Sequence, residues 1–383
     1  MVIMNVKLDN VLAFSDFKVN FSYPIKLRRS IIENEELSNV PGFRYKKLNV
    51  FIGSNASGKT SFIKALWNVL LFLDRKEKAY LEKIINKKRE HSYIEIDLVT
   101  EENSLSILHR FEIKTTNQES GIKVEIAHKH INLERKTSYE VCSKKLEGMP
   151  RIFEDYLKVL ERLKIHLHWN VILPATEESF ERVMFFDLHE RKDKEKEYID
   201  IMNIVLKTLD PAILGVNKSK DADNAYVIDH SVVGKIIVQD GFSLSSIEYL
   251  SSGTKYGFNI ANIIFAIKNH VSGIYMIDEQ FSYVNTDIEA AILSTMVSLL
   301  GPDEQIFFTT HNYDIASLGF PFHSFYFMKK EMEEGKLKVK INCASEAENR
   351  NNVVPRSLLD NDVFSISPKV DAILNLGDES QQH

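Results

Sequence analysis

One eight-residue stretch constrains this chain more than any other. Gly53-Ser54-Asn55-Ala56-Ser57-Gly58-Lys59-Thr60 satisfies every fixed position of the phosphate-loop pattern G-x-x-x-x-G-K-[ST]. An apolar run, Leu48-Asn49-Val50-Phe51-Ile52, precedes it, and a helix-like segment, Ser61-Phe62-Ile63-Lys64-Ala65-Leu66-Trp67, follows. Gly53 and Gly58 let the backbone curl so that successive N–H groups converge on an anion, and the helix start adds the positive end of its dipole. Lys59 is expected to reach the β- and γ-phosphates of a nucleoside triphosphate, and the Thr60 hydroxyl to ligate magnesium. Asn55, Ser57 and Ser61 complete the expected cradle. A chance glycine-rich turn would not bring both flanks with it. The chain is expected to bind ATP and Mg2+.

Composition bounds the setting. A length of 383 residues suits one large domain or two, and 44% hydrophobic with 27% charged residues is a globular balance. Cys142 and Cys343 form no framework, and no His/Cys cluster suggests zinc, which fits a reducing cytosol. The start, Met1-Val2-Ile3-Met4-Asn5-Val6-Lys7, lacks the apolar core of a signal peptide, and no run approaches bilayer length. A cytoplasmic protein with no membrane segment is expected. The net charge of −6 argues against a wholly basic surface. It leaves local patches at Lys26, Arg28, Arg29 and at Lys83, Lys87, Lys88, Arg89, and such runs are usually solvated helix faces.

Along the chain, residues 1–23 alternate as strands, and helix signals dominate from Thr60 to about Arg89. Short antiparallel strands are expected between Ser92 and Ile131, at Tyr93–Leu98, Ser104–Leu108, Phe111–Lys114 and Lys123–Ile126. From Thr137 to about Leu209 the chain reads as charged helices, with an exposed tip or joint at Arg191–Glu197. Strands around Tyr226–Ile228 and Lys235–Val238 lead back to the core, and the residues from about Ser345 read as a loop and a disordered end.

Three further elements follow in order. Leu250-Ser251-Ser252-Gly253 precedes a long helix signal; Ile274-Tyr275-Met276-Ile277-Asp278-Glu279 is a buried strand ending in two acids; and Ile306-Phe307-Phe308-Thr309-Thr310-His311-Asn312 is another with a polar tip. This series resembles the ATP-binding-cassette ATPase superfamily at the two ends of the chain, roughly 1–72 and 240–325. On that resemblance, 53–60 is the Walker A motif, Ser251 to Gly253 belong to the signature, Asp278 and Glu279 form Walker B, the D-loop begins at Phe281-Ser282, and His311 is the switch histidine. The resemblance implies that Asp278 holds magnesium opposite Thr60, that Glu279 polarises the attacking water, and that His311 senses the γ-phosphate. It also implies that Ser251 and Gly253 face the nucleotide of a partner subunit, so that two chains sandwich two ATP molecules.

The expected fold is therefore α/β, a P-loop NTPase of ABC-ATPase type with a mixed sheet, flanking helices and an inserted, mostly helical lid or arm. Its expected parts are an N-terminal part of the ATPase core (1–135), a helical insert (136–225), a C-terminal part of the core (226–345) and a tail (346–383). Thr254-Lys255 after the signature glycine and the Phe308–Asn312 tip look like the stand-alone bacterial ATPases, which include RecF and SMC relatives and ATPases of abortive-infection and phage-defence systems. That branch implies an ATPase acting as a nucleotide-switched homodimer, or a higher homo-oligomer, that serves as sensor and scaffold for a separate effector such as a nuclease or toxin. Two alternatives stay open: a RecF- or SMC-like clamp on nucleic acid, and a structural scaffold with negligible hydrolysis. The second draws on two departures, since no Q-loop glutamine can be placed and Ser282-Tyr283-Val284-Asn285 lacks the usual D-loop leucine.

Overall fold

The computed structural model describes residues 1–23, 30–163, 167–172, 192–220, 225–239, 242–243, 250–281, 284–333, 336–347 and 355–364. The apolar run before the phosphate loop forms the strand Leu48–Ile52, buried at every position. It is the fourth strand of a six-stranded sheet ordered Trp169–Ile172, Ile274–Asp278, Gln305–Thr310, Leu48–Ile52, Phe325–Glu333, Lys336–Cys343. The first five run parallel and the last returns antiparallel. Ile274–Asp278 and Gln305–Thr310 are also buried throughout, as strands covered on both faces must be.

A second six-stranded sheet is antiparallel, ordered Phe17–Asn20, Val2–Asp9, His91–Glu102, Leu105–Gln118, Gly121–Asn132, Glu154–Asp155. Between the sheets lies the helix Lys59–Arg75. Its Phe62, Ile63, Leu66, Val69 and Leu70 share one apolar cluster with Ile96 and Phe111 of the antiparallel sheet and with Phe51, Met276 and Phe307 of the parallel one. The opposite face of the parallel sheet is covered by the helices Glu195–Leu209, Ser252–Lys268 and Thr286–Leu299. A small sheet, Ile213–Lys218, Ala225–His230, Gly234–Gln239 and Phe242–Ser243, packs into the same cluster.

Several expectations are corrected. The helix from Thr60 does not run to Arg89. It stops at Arg75, where Lys76 turns left-handed (φ 59°) and donates its N–H to the Phe72 carbonyl. A short helix, Ala79–Glu82, follows, and Leu81, Ile84 and Ile85 then tuck inward while Lys83, Lys87, Lys88 and Arg89 face solvent. The expected strands Ser104–Leu108 and Phe111–Lys114 are one strand, Leu105–Gln118, because its pairing with both neighbours is unbroken.

The segment 136–225, expected to be mostly helical, holds the helices Tyr139–Gly148, Tyr156–Arg162 and Glu195–Leu209, but it also supplies the edge strand of the parallel sheet. Trp169–Ile172 is only four residues long, too short for its period to stand out beside helical neighbours. The residues after Ser345, expected to be loop, include the helix Pro355–Asp360. Its Leu358 and Leu359 are buried, and Phe364 beyond it stacks on Phe327 with ring centroids 4.9 Å apart. Lys26, Arg28, Arg29 and the closing residues lie outside the described residues.

The antiparallel sheet carries a histidine stack. His109 Nδ1 lies 3.0 Å from His128 Nε2, and His128 stacks on His130 at 5.5 Å between centroids. Burial, helped by the neighbouring imidazoles, lowers the pKa of His109 to about 4 and that of His128 to about 3. Unfolded imidazoles protonate near pH 6.5, so below that value the unfolded chain binds the extra protons and the fold loses stability. Denaturant unfolding is expected to show a loss on the order of 1–2 kcal/mol per buried histidine between pH 7 and pH 5. His128→Phe should flatten that slope; an unchanged slope would mean the stack does not control it.

Candidate functional site

Parallel pairing determines where the site forms. Asp278 lies opposite Thr309, and Thr310 lies opposite Ile52. The carboxyl ends of three neighbouring strands therefore emerge at one edge, where open α/β sheets bind ligands. Out of them come the phosphate loop, the Asp278-Glu279 pair and the His311 turn.

The loop's backbone is as constrained as its sequence demands. Gly58 sits at φ 111°, and a Cβ there would also press on Val339 Cγ1 at 3.1 Å. At Gly53 a Cβ would run into the Met328 carbonyl oxygen and lie 2.7 Å from Ser57 Oγ. Lys59, 2% exposed, donates to the carbonyls of Gly53 (2.8 Å) and Ser54 (3.1 Å) and pairs with Glu279 Oε1 at 3.1 Å. Asn55 is exposed and Ser61 half-buried at the mouth. Ser57 Oγ is buried and has no hydrogen-bond partner among the described residues.

Behind the loop, Thr60 Oγ1 donates to Asp278 Oδ1 at 3.3 Å, and Thr309 Oγ1 donates to the same oxygen at 2.5 Å. Asp278 is fully buried, and its Oδ2 has no partner among the described residues. Burial pushes its carboxyl up to about 6; the Thr309 and Thr60 hydrogen bonds and Lys59 pull it back, while the Glu279 charge adds to the rise. A buried carboxylate oxygen left unsatisfied is costly unless a cation completes it. Glu279 follows at φ 45°, a left-handed conformation that a glutamate rarely adopts. Its N–H is held by Thr309 Oγ1 at 3.1 Å.

Thr309 is thus a site residue that the motif reading passed over. One hydroxyl orients both acids, and the available signal is a polar residue at the tip of the otherwise apolar Ile306-Phe307-Phe308 run. His311 lies exposed just beyond that strand. Gln280, also unforeseen, is buried and donates to the Asp278 carbonyl at 3.0 Å.

Ser251 is placed apart from these groups. It caps the helix Ser252–Lys268, accepting from the Thr254 N–H, and its side chain is exposed while Gly253 is half-exposed. Asn259 Nδ2 reaches Gln280 Oε1 at 3.4 Å. Ser251 lies two turns earlier, about 12 Å along the axis at 1.5 Å per residue. Of the expected D-loop, Phe281 packs on Phe308 and Asn285 caps the helix Thr286–Leu299, whereas Ser282 and Tyr283 lie outside the described residues. So does the segment after Ile172.

The sequence matches no protein-family model and no curated protein. Solved structures do match. An SMC head bound to the C-winged helix domain of ScpA is 14% identical, covers 91% of this chain and 100% of its own, and superposes with a TM-score of 0.50. The fold resembles that of this SMC head. The SMC head domain from Thermotoga maritima is 13% identical, over 89% and 98% of the two chains, with a TM-score of 0.42. An SMC head with an extended coiled coil, bound to the C-terminal domain of ScpA derived from Pyrococcus furiosus, is 12% identical, over 90% and 97%, with a TM-score of 0.44. No helix among the described residues is long and apolar enough to cross a membrane.

Asp278→Asn is expected to raise the stability of the nucleotide-free protein by about 1–2 kcal/mol, because it removes a buried charge at a site built for function rather than stability. The same change should abolish any stabilisation by ATP that depends on Mg2+. Thermal unfolding with and without Mg2+ checks both; a less stable variant that keeps the Mg2+ effect would contradict this reading of Asp278.

Proposed function

We propose that this chain is a Mg2+-dependent ATPase of ABC type that works as a nucleotide-switched clamp. The observation that carries the reading is the convergence, at one sheet edge, of a complete phosphate loop with a buried Asp278 whose second oxygen lacks a partner. The donor set fits a hard cation: Thr60 hydroxyl and Asp278 carboxylate lie within hydrogen-bond distance of each other on the expected side of Lys59. Magnesium, when bound, supplies charge neutralisation at the β- and γ-phosphate oxygens, and Thr60 with Asp278 would hold it.

The chain's own residues do the rest. Backbone N–H groups of the loop bind phosphate, and Ser57 Oγ offers an unused hydroxyl beside them. Lys59 exchanges its carbonyl and Glu279 partners for phosphate oxygens, which breaks its pairing with the glutamate. Glu279, fixed by its backbone geometry and by Thr309, then takes the proton of an attacking water. His311, at the tip of the adjacent strand, senses the terminal phosphate.

The exposed start of the Ser252–Lys268 helix supports the two-chain arrangement. Ser251 and Gly253 are exposed to a partner at a helix N-terminus, where an anion is favoured. Two copies would then close on two nucleotides through one isologous interface. We read the client of this clamp as a separate effector in a bacterial defence system, as the resemblance to phage-defence ATPases implies. The likeness to an SMC head favours a second reading, a clamp that closes on DNA. Salt-sensitive DNA binding that requires ATP would select the second.

Glu279→Gln is expected to lower kcat by about a hundredfold or more while ATP binding persists, since general-base contributions run to about 10²–10⁴. Light scattering of that variant should show the mass of a dimer, or of a larger assembly, only when ATP and Mg2+ are present. Turnover equal to wild type would remove Glu279 from the mechanism, and a mass indifferent to ATP would remove the clamp.

A further inference from the structure

A buried carboxylate that the mechanism above does not use stands one turn into the helix Thr286–Leu299. Glu289 is 2% exposed. Among the described residues no cation pairs with it; both its oxygens are taken by neutral donors on one short turn. Oε1 accepts from Thr310 Oγ1 at 2.9 Å, and Oε2 accepts from Asn312 Nδ2 at 2.7 Å. Those two residues flank His311.

The turn is cross-tied as well. Asn312 N donates to Thr310 Oγ1 at 2.9 Å, and Asn312 Oδ1 accepts from the Asp314 N–H at 3.0 Å. Asn312 Nδ2 also reaches Thr286 Oγ1, at 3.3 Å, on the first turn of the same helix. Both carboxyl oxygens of Glu289 thus hold side chains on either side of an exposed histidine. An apolar residue would fill this buried position more cheaply than a carboxyl group, whose burial raises its pKa. What the carboxyl supplies is two directional bonds.

We infer that Glu289 is a positioning residue: it fixes the pose of His311 by clamping Thr310 and Asn312 to the helix Thr286–Leu299. This rests on the proposed role of His311 at the terminal phosphate. It adds a mechanical consequence. The helix is capped by Asn285, whose Oδ1 accepts from the Asp287 N–H at 2.8 Å. A displacement of this helix by a partner subunit therefore reaches His311 through one side chain.

Steady-state ATP hydrolysis by the full chain tests this with Glu289→Ala, Asn312→Ala, Glu289→Gln, His311→Ala and the double variant Glu289→Ala/His311→Ala. Glu289→Ala is expected to lower kcat about tenfold with KM changed less than about twofold. Asn312→Ala, which removes one of the two bonds, should fall between it and wild type. Glu289→Gln, which keeps an acceptor for Asn312, should recover most of the rate. In the His311→Ala background the Glu289→Ala change should cost less than about twofold, because residues acting through one another are not additive.

A full additional loss in that background, or an unchanged kcat in Glu289→Ala, would overturn the inference. Carbethoxylation of His311 by diethyl pyrocarbonate, followed by peptide mass spectrometry without nucleotide, gives a readout that needs no turnover. Its rate should change in Glu289→Ala and not in Glu289→Gln; equal rates in wild type and Glu289→Ala would overturn the inference. If the wild-type chain hydrolyses no ATP, the ATPase reading fails while the modification rates still decide whether Glu289 positions His311.

Discussion

The backbone hydrogen bonds between Leu48–Ile52, Gln305–Thr310 and Ile274–Asp278 set the geometry on which the rest depends. Parallel strands put their carboxyl ends on one edge, so segments far apart in the sequence deliver their polar tips to one place. A shift of one residue in either pairing would turn Thr309 to the opposite face, and with it the hydroxyl that holds Asp278 and the Glu279 N–H. Packing enforces the register. Phe51 stacks on Tyr326 and Phe307, and Phe21 meets Phe307 edge-on, so the strands are locked by aromatic contacts on the same face that receives the Lys59–Arg75 helix.

On this rigid edge the chain keeps features that stability alone would remove. Asp278 and Ser57 hold buried polar atoms without partners, Glu279 adopts a left-handed backbone, and Lys59 is folded back on its own loop. Each is costly in isolation, and together they mark one site. The Lys59–Glu279 pair is the most informative, because it joins the lysine of the phosphate-loop motif to the second acid at the end of Ile274–Asp278. Under the proposed function, a ligand that takes the lysine breaks this pair, so binding and chemistry would be coupled through it.

Much of this was legible in the chain itself. The phosphate loop announces its strand and helix by fixed glycines, and buried parallel strands announce themselves as apolar runs ending in acids or a polar tip. What stayed hidden depends on contacts between distant segments. Thr309 becomes a site residue only because pairing sets it beside Asp278, and Glu289 only because helix packing sets it beside Thr310 and Asn312. The edge strand Trp169–Ile172 was masked by the helical periodicity around it, and the stop at Arg75 by a lysine in a conformation usually given to glycine or asparagine. Local pattern decides elements, whereas topology decides which of their residues meet.

Isothermal titration of the wild-type chain and Lys59→Ala with ATP, each with and without Mg2+, tests most directly that this edge is a nucleotide site. Saturable binding of one ATP per chain to wild type, strengthened by Mg2+ and lost in Lys59→Ala, is the result expected. No binding to wild type, or equal binding to the variant, would contradict the account.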